Sequence, residues 1–250
     1  MTASATPVDQ VPPISRTEAI GLAAAENQRV LELFRTLQPE DWTKQTDCPA
    51  WDVRAMAAHL VGAMEGFSSF NSMRKLMRAA GKAKGDGPMV DGMTASQVAA
   101  RADRSTDQLI AEAATYGPRQ AKWRGGVPGL MRKAPLKQDV GGVEETWKMG
   151  YLFDVVLTRD PWMHRVDITR ATGREMVLTA DHDGRLIADV VAEWARRHGQ
   201  PFTLHLTGPA GGVFTQGTGG DEITIDAVEF CRTLSGRANG AGLLTTEVPF

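Results

Sequence analysis

The stretch on which the reading of this chain turns is Thr158-Arg-Asp-Pro-Trp-Met-His-Arg-Val-Asp-Ile168. Read as a helix, it sends Asp160 and His164, four residues apart, out from one face a single turn from each other, a spacing suited to gripping one metal ion. Pro161 gives Asp160 a rival role. Proline fits the first turn of a helix and breaks its interior, so the helix is predicted to start here with Asp160 as N-cap. A capping carboxylate spends one oxygen on backbone N–H groups and leaves the other for a cation.

A third ligand is sought upstream, in Trp51-Asp-Val-Arg-Ala-Met-Ala-Ala-His59-Leu-Val-Gly62. Asp52 is a good N-cap, and Val53, Met56, Ala57, Leu60, Val61 and Met64 form an apolar stripe of helical period. His59 falls on an adjoining face of small residues, with Ala55, Gly62, Ala63 and Gly66, which lets another helix come close to its imidazole. The reading is that two helices pack side by side and hold a divalent metal through His59, Asp160 and His164. For His59 alone the plain alternative is a histidine hydrogen-bonded to backbone.

Around these helices the rest of the chain takes its place. Residues 1–14, with three prolines, are predicted to be a flexible or loosely docked leader. Ser15-Arg-Thr-Glu18 has the form of a capping box and starts a first helix that Pro39 ends. The second helix is expected to run from Asp52 to about Ala80. Thr94-Ala-Ser-Gln97 repeats the capping-box form and opens a third, ending near Tyr116. From Tyr116 to Val143 no period survives, and six basic residues face only Asp139, so a long basic loop is expected, either gathering a carboxylate substrate or simply solvated. Beyond Gly173 come a helix over Asp181–Arg197, alternating strands at Phe202–Thr207 and Ile223–Ile225, and a short helix capped by Asp226. The division is a helical metal-binding domain over 15–174 and a small C-terminal α/β domain with an antiparallel sheet over 175–250.

At 250 residues the chain has room for these two domains, and its formal net charge of -2 gives no basic field for nucleic acid. A small-molecule partner fits better. No 18-residue apolar run spans a bilayer and no secretory signal opens the chain, so a soluble, cytoplasmic protein is expected. Cys48 and Cys231 lack redox or metal spacing, and Cys48 is read as structural.

The segment Cys48-Pro-Ala-Trp-Asp-Val-Arg with Ala58-His59-Leu60, followed by Arg159-Asp-Pro-Trp-Met-His-Arg-Val-Asp-Ile168, resembles the mycothiol-dependent maleylpyruvate isomerase family of the DinB-like metalloenzyme superfamily. The resemblance extends to the C-terminal Leu243-Leu-Thr-Thr-Glu-Val-Pro-Phe250. It implies an α+β protein with an N-terminal up-and-down four-helix bundle and a divalent metal, zinc first, held by two histidines and a carboxylate. That carboxylate is often Glu in the family; Asp160 matches its position with a shorter arm. The cofactor implied is mycothiol or another low-molecular-weight thiol, held as its thiolate by the metal, and the substrate a small electrophile or carboxylate. Cis-trans isomerisation and S-transfer both follow from that chemistry.

Roles around the metal stay open at this level. Asp167 orients an imidazole or forms a surface ion pair. Arg159 and Arg165 take a cofactor or substrate carboxylate or remain solvated. Arg237 approaches the site as a catalytic anion binder or complements a helix end. His205 is expected to be exposed, and His182 and His198 carry no assigned role. Two other functions compete: a bundle that binds metal or an apolar ligand without turnover, and a metal-free helical interaction module.

Overall fold

Asp52 caps the His59 helix in the computed structural model of the chain, which describes residues 5–250: its carboxylate accepts from the Ala55 N–H at 2.7 Å. The elements in order are β1 (Thr6–Pro7), α1 (Arg16–Thr36), α2 (Val53–Gly66), α3 (Phe70–Ala83), α4 (Met89–Ala99), α5 (Thr106–Gly126) and the single turn α6 (Gly129–Arg132). There follow β2 (Pro135–Val140), β3 (Val143–Lys148), α7 (Met149–Tyr151), α8 (Leu157–Thr172), α9 (Arg185–His198), β4 (Phe202–Thr207), β5 (Gly212–Gln216), β6 (Asp221–Asp226) and α10 (Ala227–Leu234).

Two compact units result. One comprises Arg16–Lys133 with Asp160–Glu175, the other Ala134–Arg159 with Met176–Phe250 and the N-terminal residues through Ser15. The first is the four-helix bundle. Its core joins Val30 and Phe34 of α1, Val53, Met56, Leu60 and Val61 of α2, Leu109 and Ala113 of α5 and Ile168 of α8, with Trp42 at one end. The apolar stripe read on α2 lies in this core, while α3 and α4 pair with each other and α4 also packs on α2. Burial of these side chains, at about 1.5–3 kcal/mol each, is what holds the helices that carry the ligands.

In the second unit the strands form a sheet of order β1-β5-β4-β6. The antiparallel pairing expected of the sheet is made by β4 with β5, a strand outside the two read from the alternation; β6 joins β4 in parallel and β1 joins β5 in parallel. Trp194 of α9 packs on Phe202 and Phe230, with ring centroids 4.7 and 5.3 Å away, and closes a small core.

The leader, expected to be flexible or loosely docked, keeps that reading, with Thr6 and Pro7 pairing with Phe214 and Thr215. Several sequence expectations change. Ser69 starts a new helix, its hydroxyl accepting from the Ser72 N–H, so the second predicted helix is two. Thr94 sits inside α4 and caps nothing; the working capping box is Ser105 with Gln108 at the head of α5. The basic loop over 116–143 is replaced by the end of α5, which continues through Pro118, and by the β2–β3 hairpin. That hairpin turns on Gly141 and Gly142 at φ +59° and +81°, the two consecutive positive angles that a tight two-residue turn demands and glycine supplies freely. Asp160 is not an N-cap either: α8 starts three residues earlier, after a π-helical turn over Leu152–Val156. Leu157 there has ψ 7°, well off the helical value, which turns its carbonyl aside from the Pro161 ring that would otherwise strike it.

Candidate metal centre

With its capping role removed, the Asp160 carboxylate is free to face the two imidazoles. Oδ2 lies 3.5 Å from His59 Nε2 and Oδ1 lies 3.4 Å from His164 Nε2. One ligating atom from each of the three residues falls within 4.8 Å of the others. Four ligands at about 2.1 Å around a tetrahedral zinc stand roughly 3.4 Å apart, so the two carboxylate–imidazole spacings match the edges of such a polyhedron. His59 Nε2 is buried and meets no hydrogen-bond partner, an expense that a cation at the centre would remove. The donor set and the orphaned nitrogen therefore fit a divalent metal. Two histidines and one carboxylate leave a coordination position open, the pattern of a catalytic site. Asp160 keeps 23% of its side chain exposed, whereas the histidines are at 5% and 7%, so solvent reaches the cluster on the carboxylate side.

Both imidazoles are oriented from behind. His164 Nδ1 is 2.9 Å from Asp167 Oδ2, and His59 Nδ1 is 2.8 Å from Gln97 Oε1. Each contact places the ring proton on Nδ1 and turns Nε2 inward, as expected of histidines that ligate a metal. Trp51 stacks on His59 at a centroid distance of 4.9 Å, and the two histidine rings meet edge to face at 5.1 Å. Burial disfavours charge on Asp160, but the neighbouring His164 and His59 outweigh it and hold the carboxyl far below its usual range. Burial likewise works against a charged His164, and the Asp160 carboxylate with hydrogen bonds to Asp160, Asp167 and Cys48 prevails, raising its pKa well above that of free histidine.

The remaining sequence candidates have other company. Arg165 is buried and forks onto Glu26 of α1, with Nε to Oε1 at 2.8 Å and Nη2 to Oε2 at 3.1 Å. Arg159 is buried between Asp189 at 2.6 Å and Glu193 at 2.8 Å. Both guanidinium groups expected to flank the site and receive a carboxylate are thus committed to internal ones. Arg237 belongs to the sheet-containing unit, where it follows Gly236 at the end of α10. His205 lies 3.6 Å from Glu222 at the sheet surface. Cys48, read as structural, has its thiol 3.9 Å from Asp167 Oδ2, beside the residue that orients His164. No local signal marks Gln97 as a partner of His59, since Thr94–Gln97 has the form of a helix start.

The family model described as Mycothiol maleylpyruvate isomerase N-terminal domain matches residues 23–169, more than half of the chain and a span that contains His59, Asp160 and His164. Two solved structures are similar over 98% of this chain and 98% of their own: the mycothiol-dependent maleylpyruvate isomerase and a variant of it with one histidine changed to alanine. Each is 17% identical with a TM-score of 0.56, a likeness of fold. No curated protein matches the chain.

Proposed function

The chain belongs to the mycothiol maleylpyruvate isomerase N-terminal domain family, and from that premise we propose that it is a metal- and thiol-dependent isomerase acting on a small electrophilic carboxylate with an activated double bond. The observation that carries this reading is the convergence of His59, Asp160 and His164 with an unpartnered imidazole nitrogen among them. These three residues would hold the metal, zinc by likeness to the family, since two imidazoles and a carboxylate suit it. Such an ion would supply a site that keeps a low-molecular-weight thiol, mycothiol by family, in the reactive thiolate form suited to reversible addition to a double bond.

The chain's own part is to bind and orient. Gln97 and Asp167 aim the two imidazoles, Trp51 covers one face of His59, and the exposed edge of Asp160 leaves the open position accessible. No side chain is assigned as nucleophile. Arg159 and Arg165 are already neutralised by acidic partners and are not assigned a substrate carboxylate. S-transfer, with the thiolate attacking once and remaining attached, is the second reaction the same site supports, and binding without turnover is the alternative function.

The test begins with elemental analysis of purified protein and of His59→Ala. One divalent ion per chain, lost in the variant, is expected; no ion in the unmutated protein overturns the proposal. Incubation with mycothiol and maleylpyruvate, and separately with a bimane electrophile, then separates isomerisation from S-transfer. Metal without turnover under either condition assigns the protein to the binding class.

A further inference from the structure

Gln97 is held against His59 in a way that packing alone does not require. The α2 position facing it is Gly62, where an added Cβ would lie 2.6 Å from Gln97 Cβ and 3.1 Å from its Cα. Only a residue without a side chain lets α4 come this close, and the closeness puts Gln97 Oε1 at 2.8 Å from His59 Nδ1. Gln97 is 2% exposed, yet its Nε2 meets no hydrogen-bond acceptor. A buried amide donor left unpaired is destabilising, and a leucine of similar size would avoid it.

We propose, resting on the metal reading above, that Gln97 is a positioning residue that fixes the tautomer of His59 for metal binding. An amide oxygen only accepts, so the neutral imidazole opposite it must carry its proton on Nδ1. The lone pair of Nε2 is then turned toward Asp160 and His164. Without that acceptor the proton has a better place: on Nε2, donating to the Asp160 carboxylate 3.5 Å away. That arrangement would block ligation, because the nitrogen facing the metal would hold a hydrogen instead of a lone pair. Gln97 and Asp167 thus perform the same task for the two histidines with different charge. Asp167 is an anionic acceptor behind His164, and Gln97 a neutral one behind His59, so the pair adds a single negative charge to the surroundings of the ion.

The experiment compares the full-length protein with Gln97→Leu and Gln97→Glu. Zinc affinity is measured by competition with a chromophoric chelator, and the His59 tautomer by 15N NMR of histidine-labelled, metal-free protein at about pH 8, above the ordinary histidine range. Gln97→Leu is expected to weaken zinc binding about 10- to 100-fold and to move the His59 proton to Nε2. Gln97→Glu, which can only accept, is expected to keep the proton on Nδ1 and to bind at least as tightly as the unmutated protein. Undiminished zinc affinity in Gln97→Leu, or a His59 proton that stays on Nδ1 in that variant, overturns the proposal. If the unmutated protein takes up no zinc, the metal reading fails by itself, and the tautomer comparison still decides whether Gln97 sets the proton of His59.

Discussion

Two buried polar clusters in this chain, one in each compact unit, differ in what meets their carboxylates. In the sheet-containing unit Arg159 bonds Asp189 and Glu193, Glu193 also accepts from Tyr151 and Arg197, and Arg197 goes on to Glu145. Each of these carboxylates meets a guanidinium. In the bundle, two imidazoles and one carboxylate point at a common centre, and His59 Nε2 has no hydrogen-bond partner there. A cluster whose carboxylates are all neutralised works as a staple, even with Arg159 Nε left without a partner. An unsaturated one costs stability that is recovered only when a ligand arrives.

The sharpest way to break this contrast is to cut each cluster once. His59→Ala is expected to reduce bound metal to background and thiol-dependent turnover to below about one hundredth, since even the partners behind metal ligands are worth 10- to 100-fold. The melting temperature of the metal-free protein should fall by only about 2–6 °C, because the variant gives up the Gln97 contact and the Trp51 stacking but no hydrogen bond at Nε2. A large fall would mean the imidazole is structural. Arg159→Met should do the reverse. It leaves Asp189 buried without its cation and Glu193 with only Arg197 and Tyr151, a loss of about 3–5 kcal/mol, which lowers the melting temperature on the order of 10 °C for a chain of this size. Metal bound per folded chain should stay the same; loss of metal along with stability would show that the two clusters are not independent.

Acid sharpens the comparison further. Burial opposes ionisation of Glu193, but Arg159, with Tyr151 and Arg197, holds its carboxyl below the usual range. A carboxyl whose folded pKa is depressed contributes stability that is complete above the ordinary range near 4.5 and is lost as pH falls through the lower folded value. Denaturant midpoints should therefore decline on acidification below about pH 5, and the decline should be shallower in Arg159→Met, where the main cause of the shift is gone. Equal slopes in the two proteins would place the proton linkage at other carboxylates.

Much of the site was legible because its signals are local. Four-residue spacing put Asp160 and His164 on one face, and the run of small residues beside His59 announced a close helix contact, which α4 makes at Gly62. The resemblance to a known family supplied the union of the two segments, which no local pattern could. What sequence reasoning missed depends on neighbours distant in the chain. Pro161 reads as a helix start until the π-helical turn ahead of it is seen to absorb the clash, and Pro118 reads as a stop although α5 continues through it. Charge near the motif suggested that Arg159 and Arg165 were available to a ligand. Their acidic partners stand 30 and 139 residues away, and nothing in the motif points to them. The hairpin was the one avoidable miss, for a Gly-Gly pair between Val140 and Val143 is a recognised turn signal.

The smallest effect is expected at Gly62, and it isolates the approach of α4 from the chemistry of Gln97. Alanine is favoured over glycine inside a helix by up to about 1 kcal/mol, so α2 itself gains from Gly62→Ala. The new methyl group, however, would meet Gln97 Cβ at 2.6 Å and, less yieldingly, its backbone Cα at 3.1 Å. Gln97 Cβ cannot swing clear of its own backbone, so α4 must withdraw by the better part of an ångström, at an overpacking cost of about 1–3 kcal/mol that outweighs the gain, and the 2.8 Å contact between Gln97 and His59 lengthens. The expected outcome is a melting temperature lowered by about 2–6 °C, with zinc affinity lowered less than in Gln97→Leu, toward the 10-fold end of the range for partners behind a ligand. Chelator competition on the two variants side by side measures it. An alanine at position 62 that raises the melting temperature and leaves affinity untouched would show that α4 has slack at this point, and that the glycine is not what brings Gln97 to the imidazole.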